Sequence, residues 1–106
     1  MNAILHENIR NGWTDGDYIA AHTVGFDELS QRVSEFSPQH AAVICGVDSD
    51  DIRAAARVLG TAQRLLSTVL QGFYQSHQAT APAVQVNNIH LIRGVLGASP
   101  DAGYCR

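Results

Sequence analysis

A chain of 106 residues with 45% apolar content suits one domain, near the lower end of sizes that build an adequate core alone. Charged residues make up only 16% and the net charge is −3, so there is no basic footprint and nucleic acid is excluded as an expected partner. No apolar run approaches a membrane span and no signal-peptide pattern opens the chain, so a cytoplasmic protein with no membrane partner is expected.

Residues 1–12, MNAILHENIRNG, place Ile4, Leu5 and Ile9 at helical spacing and end on Gly12, a good helix stop. Thr14 or Asp15 can cap a second short helix carrying Tyr18, Ile19 and Ala20, which closes near Thr23. Gly25 precedes a third, FDELSQRVSEF, with Phe26, Leu29, Val33 and Phe36 on one face. Ser37-Pro38 is a cap followed by proline at the first helical position, opening a fourth helix through Cys45 to Gly46. Asp48 or Ser49 caps a fifth, with Ile52, Ala55, Ala56 and Leu59 inward and Gly60 closing it.

The pattern then changes. RLLSTVLQG, residues 64–72, is a short apolar run without helical punctuation, and a buried strand is expected over residues 64–70. A polar stretch follows, and a helix is expected from about Thr80 to Gly94 or Gly97. Its Val84, Val86, Ile89, Leu91, Ile92 and Val95 nearly encircle it, which suggests burial on more than one side. Pro82 fits only its first turn, where the missing N–H costs little. The expected fold is therefore mainly α with one strand: five short helices, a buried-type strand and a long last helix. One strand cannot satisfy its own backbone, and a strand leading into a helix is half of a βαβ unit. The missing half, with the low charge content, points to a piece of something larger.

Few side chains suggest chemistry by themselves. Cys45 and Cys105 make neither a metal-site spacing nor a disulfide framework, and Cys45 is most simply a small buried side chain. His6, His22, His40, His77 and His90 lack the i, i+4 pairing or carboxylate company of a metal site, so structural or surface roles suit them. Asp48, Asp50 and Asp51 crowd a helix start, where negative charge is favoured without any cation. Gln71, Gln75 and Gln78 read as ordinary loop glutamines on the residues alone.

The segment LLSTVLQGFYQSHQATAPAVQVNNIHLIRGVLG nevertheless resembles the catalytic subunits of molybdopterin oxidoreductases carrying bis(molybdopterin guanine dinucleotide), most of all the assimilatory nitrate reductases. Upstream, GWTDGDYIAAHTVGFDELSQRV and SPQHAAVICGVDSDDIRAAARVLGTA resemble the family's preceding helices. The likeness spans residues 1–97, and the pattern LQGFYQS–QAT–VQVNN–HL-RG is its most specific part. It implies that residues 1–97 are part of a molybdopterin-binding αβα domain, with a helical segment over 1–62 and a strand-turn-helix over 63–97. It also implies that Gln71 and Gln75 contact the pterin, with Gly72 letting the backbone approach closely. Amide side chains offer donor and acceptor together, as a pterin edge requires.

The family's iron–sulfur cysteine motif, its molybdenum-site region and its second cofactor domain have no counterpart here. The resemblance therefore implies an interior segment of a nitrate reductase-like enzyme, inactive alone, with no catalytic or metal residues and no cofactor bound by itself.

The family continues past this helix with a sequence close to GKPGCGVLQM, whereas residues 98–106 read ASPDAGYCR. Joining the third base of each codon to the first two of the next permits that family sequence at every position. A frameshift near Gly97 is the expected cause, with residues 98–106 an out-of-family tail. The alternative, from another functional class, is a small helical interaction module without cofactor. A homodimer or larger homo-oligomer is expected, through residues 64–70 or the 84–95 helix face, because exposed edges and apolar faces seek cover.

Overall fold

The computed structural model describes residues 1–96. Its elements are α1 (Asn2–Arg10), α2 (Gly16–His22), α3 (Phe26–Val33), α4 (Pro38–Cys45), α5 (Ser49–Thr61), α6 (Gln71–Tyr74) and α7 (Thr80–Ile92). The starts of three helices follow from local side-chain chemistry. The Asp15 carboxylate accepts from the Tyr18 N–H at 2.9 Å, the Ser37 hydroxyl from the His40 N–H at 3.2 Å, and the Asp48 carboxylate from the Asp50 N–H at 2.7 Å. Pro38 sits at the start of α4, where no N–H is needed.

Helix α1 is the hub, packing against α3, α4, α5 and α7, while α2 and α6 pack on α7. The core joins Leu5 of α1, Ile19 of α2, Val33 of α3 and Ile89 and Ile92 of α7. Ile4, Ile9, Phe26, Leu29 and Leu65 close around it. Burying a side chain of this kind is worth about 1.5–3 kcal/mol, so these few residues hold the helices together.

The second seam is polar. Gly60 lies inside α5, and a Cβ there would stand 2.5 Å from the Trp13 ring and 2.8 Å from Asn8 Oδ1. Only a hydrogen at that position lets α5 come this close to the fully buried Asn8. At the far end of α5, the Arg93 guanidinium donates to the carbonyls of Leu59 at 3.2 Å and Ala62 at 2.6 Å. It thereby satisfies carbonyls that a helix end leaves unpaired and matches the negative end of the helix dipole. The Asp15 N–H donates to the Ile92 carbonyl at 2.8 Å, and the Tyr18 hydroxyl donates to the Leu96 carbonyl at 2.7 Å, which ties the start of α2 to the end of α7.

Several expectations need correction. The mainly helical character agrees, but the fold class of α with one strand does not hold: among the described residues every regular element is a helix, seven in all. The residues expected to pair as a strand, 64–70, form no ladder: residue 64 lies in a bend, 65–70 carry no regular structure, and Leu70 is extended. The physical reason is that no other extended segment lies beside them to exchange backbone hydrogen bonds. Alternate residues still respond to the protein: Leu65, Ser67 and Val69 are half-buried, while Leu66 and Leu70 are 67% exposed. The expected sheet layer of an αβα unit is therefore missing from the described residues, and α6 is an added one-turn helix within the expected polar turn.

Gly60 does not close α5, which continues through Thr61. Cys45 is exposed rather than buried. Helix α7 is covered on one face, by Val86, Ile89 and Ile92, while Val84 is 47% exposed. The expected tail, 98–106, lies outside the described residues.

Candidate functional site

The glutamine turn is built by the chain reversing between the extended segment and α7. Leu70 is the last extended residue, and its carbonyl accepts from the Phe73 N–H at 2.9 Å and the Tyr74 N–H at 3.3 Å. The Gln75 N–H donates to the Gln71 carbonyl at 3.1 Å, so Gln71 and Gln75 stand one helical turn apart on the same side. Both are exposed, as is Gly72, whereas Phe73 is half-buried. The structure thus brings the three candidate residues together on one outward ridge. Space for a Cβ at Gly72 is open, so this chain itself does not demand glycine there.

Behind the ridge, the His90 Nε2 on α7 and the Ser67 Oγ lie 2.9 Å apart, which fastens the extended segment to the long helix. Burial lowers the His90 imidazole below its ordinary value of 6.5. A neutral ring that accepts from the serine hydroxyl, or donates to it, is the form this position favours. Three other histidines also have structural company: His6 Nδ1 lies 3.1 Å from the Val33 carbonyl, His22 lies tilted against the Tyr18 ring, and His40 lies edge-on to Phe36, while His77 is exposed. Among the described residues no group of three histidine, cysteine or acidic side chains is arranged to hold a metal ion. No helix of the described residues is long and apolar enough to cross a membrane.

Free amide groups on an open turn fit the edge of a pterin in donor and acceptor chemistry, and they fit it on one side only. The cavities lie elsewhere. One is a groove of about 650 Å³ lined by the start of α1, by α4 and α5 and by the beginning of α7. A smaller polar cleft of about 490 Å³ lies at the start of α2, with Arg93 at one side. Neither contains Gln71, Gly72 or Gln75. Sequence reasoning gave His90 a structural or surface role without a partner and did not single out Arg93, because their partners stand 23 to 34 positions away and leave no local signal.

No protein-family model matches the chain. Curated proteins do. It is 33% identical over 89 residues to a nitrate reductase of Synechocystis sp., covering 84% of this chain and 12% of that protein. It is 28% identical over 97 residues to the F420-dependent formate dehydrogenase subunit alpha of Methanocaldococcus jannaschii, covering 92% of this chain and 14% of that protein. It is 29% identical over 103 residues to formate dehydrogenase H of Escherichia coli, covering 97% and 14%. The chain therefore spans between 12% and 14% of the length of these relatives.

Proposed function

Because this chain belongs to the molybdopterin oxidoreductase family, we propose that it serves as a cofactor-side segment of a molybdenum-dependent oxidoreductase, nitrate reductase-like in its substrate. One observation carries the proposal. The same stretch accompanies relatives named for formate and relatives named for nitrate. A segment common to enzymes of different substrates serves what they share, which is the cofactor and its housing.

In this proposal Gln71 and Gln75 hold the pterin of a molybdopterin guanine dinucleotide by their amides, and Gly72 keeps the backbone between them open to it. When bound, that cofactor supplies the redox chemistry. The chain's own part is to orient it: Phe73 roots the turn, and the His90–Ser67 link holds the approach to it. The chain alone turns nothing over, and it works in the cytoplasm, where Cys45 stays a thiol.

The test is a chimera in which this chain replaces the matching segment of the Synechocystis nitrate reductase. Gln71→Ala with Gln75→Ala should lower the pterin recovered per mole of purified enzyme about tenfold, as loss of two ligand hydrogen bonds would. Unchanged pterin content would remove these residues from the cofactor.

A second reading, a self-associating interaction module, is favoured by the exposed Leu66, Leu70 and Val84. The α7 residues Val86, Ile89 and Ile92 are already buried within the chain, so a contact would fall on the extended segment instead. Sedimentation at micromolar concentration should then show more than one chain per particle, and Leu66→Asp with Leu70→Asp should return it to one.

A further inference from the structure

We propose that the groove of about 650 Å³ is the seat of an apolar helix or strand from another part of the same oxidoreductase polypeptide. This rests on the function proposed above and adds a packing surface to it. The groove is walled by Phe36, Ile44, Val47, Ile52 and Pro82, with Ile4 in its floor. Ile44 is 65% exposed and Val47 46% exposed, although each sits where an apolar side chain gains by being covered.

Helix α4 makes the point most clearly. It carries no acidic residue in its first turn and no basic residue in its last, and only Pro38 and Ala41 of its residues are buried. Its outward face bears Val43, 87% exposed, beside Ile44. Gln39 and His40 share these sides one turn earlier, so the open apolar surface of α4 is its last turn, Val43 and Ile44, which gains by being covered.

The chemistry of the lining selects the occupant. The charged side chains of the groove are Arg32 and Asp51, which are of opposite sign, with the chain's amino end at Met1 beside them, so the side chains gather no cluster of cations for the phosphates of a nucleotide cofactor. Uncharged polar side chains are few, Asn2 on α1 and Gln78 and Gln85 by α7, and the Gln85 amide oxygen already accepts from Asn88 at 2.9 Å. Apolar side chains spaced along a peptide fit this arrangement, and phosphates do not.

A second copy of this chain fits poorly. In a twofold pair the same patch faces itself, and a concave groove against a concave groove leaves a void. The rest of a longer polypeptide is the better source. The relatives carry this segment as 12% to 15% of their length, so the remainder is tethered to it at high effective concentration.

The test uses the same chimera with Ile44→Asp, and separately Val47→Asp. Val24→Asp is the control, since Val24 is 99% exposed and lies outside the groove. A charge forced into an apolar contact should lower the yield of soluble chimera about tenfold or more, with Val24→Asp yielding as the unsubstituted chimera does. In the isolated 106-residue chain all three variants should melt with the parent. Normal yield of the Ile44→Asp and Val47→Asp chimeras would overturn the proposal. So would loss of fold by both variants in the isolated chain, or a dimer of the isolated chain that Ile44→Asp splits, which would make the occupant a second copy. If the unsubstituted chimera itself fails to fold, the segment-of-an-oxidoreductase reading fails first and takes this one with it. Failure of the glutamine variants alone would leave the groove standing.

Discussion

Gly60 and Arg93 show how much a single position does when two helices meet. A methyl group at Gly60 would land 2.5 Å from the Trp13 ring and 2.8 Å from Oδ1 of Asn8, a rigid ring and the end of a fully buried side chain. Alanine would gain about 1 kcal/mol in helix propensity. Forcing the two helices apart costs about 1–3 kcal/mol, so the clash wins. Gly60→Ala should therefore lower the melting temperature, by about 4–8 °C for each kcal/mol of net loss; an unchanged or raised value would show that Trp13 moves aside freely. Arg93→Ala removes both donors from the end of α5 and should cost about 2 kcal/mol by urea titration. Arg93→Lys should recover only part of that, because one ammonium cannot reach two carbonyls as a planar fork does. Little of this was legible beforehand. Gly60 reads as a helix stop from its neighbours, and only Trp13, 47 positions away, reveals it as a point of close approach. Of the candidate site, Gln71, Gly72 and Gln75 came from a likeness to a family; their clustering on one exposed turn is what the structure adds.

At the scale of elements, capped helices were the readable part, because a cap is a conversation between residues two or three apart. Asp15, Ser37 and Asp48 each accept from a backbone N–H that close. The extended segment was misread because an apolar run states that a segment is to be covered without stating by what. A strand needs a neighbour that sequence periodicity cannot supply. Its attachment to α7 through His90 gives a pH prediction. Burial lowers the folded pKa of His90 below 6.5, so between the two values the unfolded chain binds the extra proton. Its contribution to stability is complete above the unfolded pKa and is lost as pH falls through the folded one. The melting temperature should thus decline on acidification from neutrality to below pH 6, and His90→Gln should flatten that part of the curve. An equally steep decline in the variant would assign it to other groups. Amide exchange at Phe73, Tyr74 and Gln75, whose N–H groups bond back to Leu70 and Gln71, should quicken in Ser67→Ala, because the 2.9 Å link fastens the approach to that turn.

For the whole molecule, the helices converge on α1, yet the connections that seal them come from far along the chain. The Tyr18 hydroxyl meets the Leu96 carbonyl across 78 positions, and Arg93 reaches back 31 and 34 positions to α5. Closing so long a loop costs entropy that local contacts do not repay, so such a bond is among the last to form. A bond absent from the folding transition state acts on the escape rate instead of the entry rate. Tyr18→Phe should accordingly leave the refolding rate in stopped-flow experiments unchanged and raise the unfolding rate in proportion to the stability it removes. A slowed refolding limb would place the meeting of α2 and α7 at the start of the reaction. The hydroxyl of Tyr18 is in this sense a latch: it plays no part in finding the fold, and it sets how long the fold lasts once found.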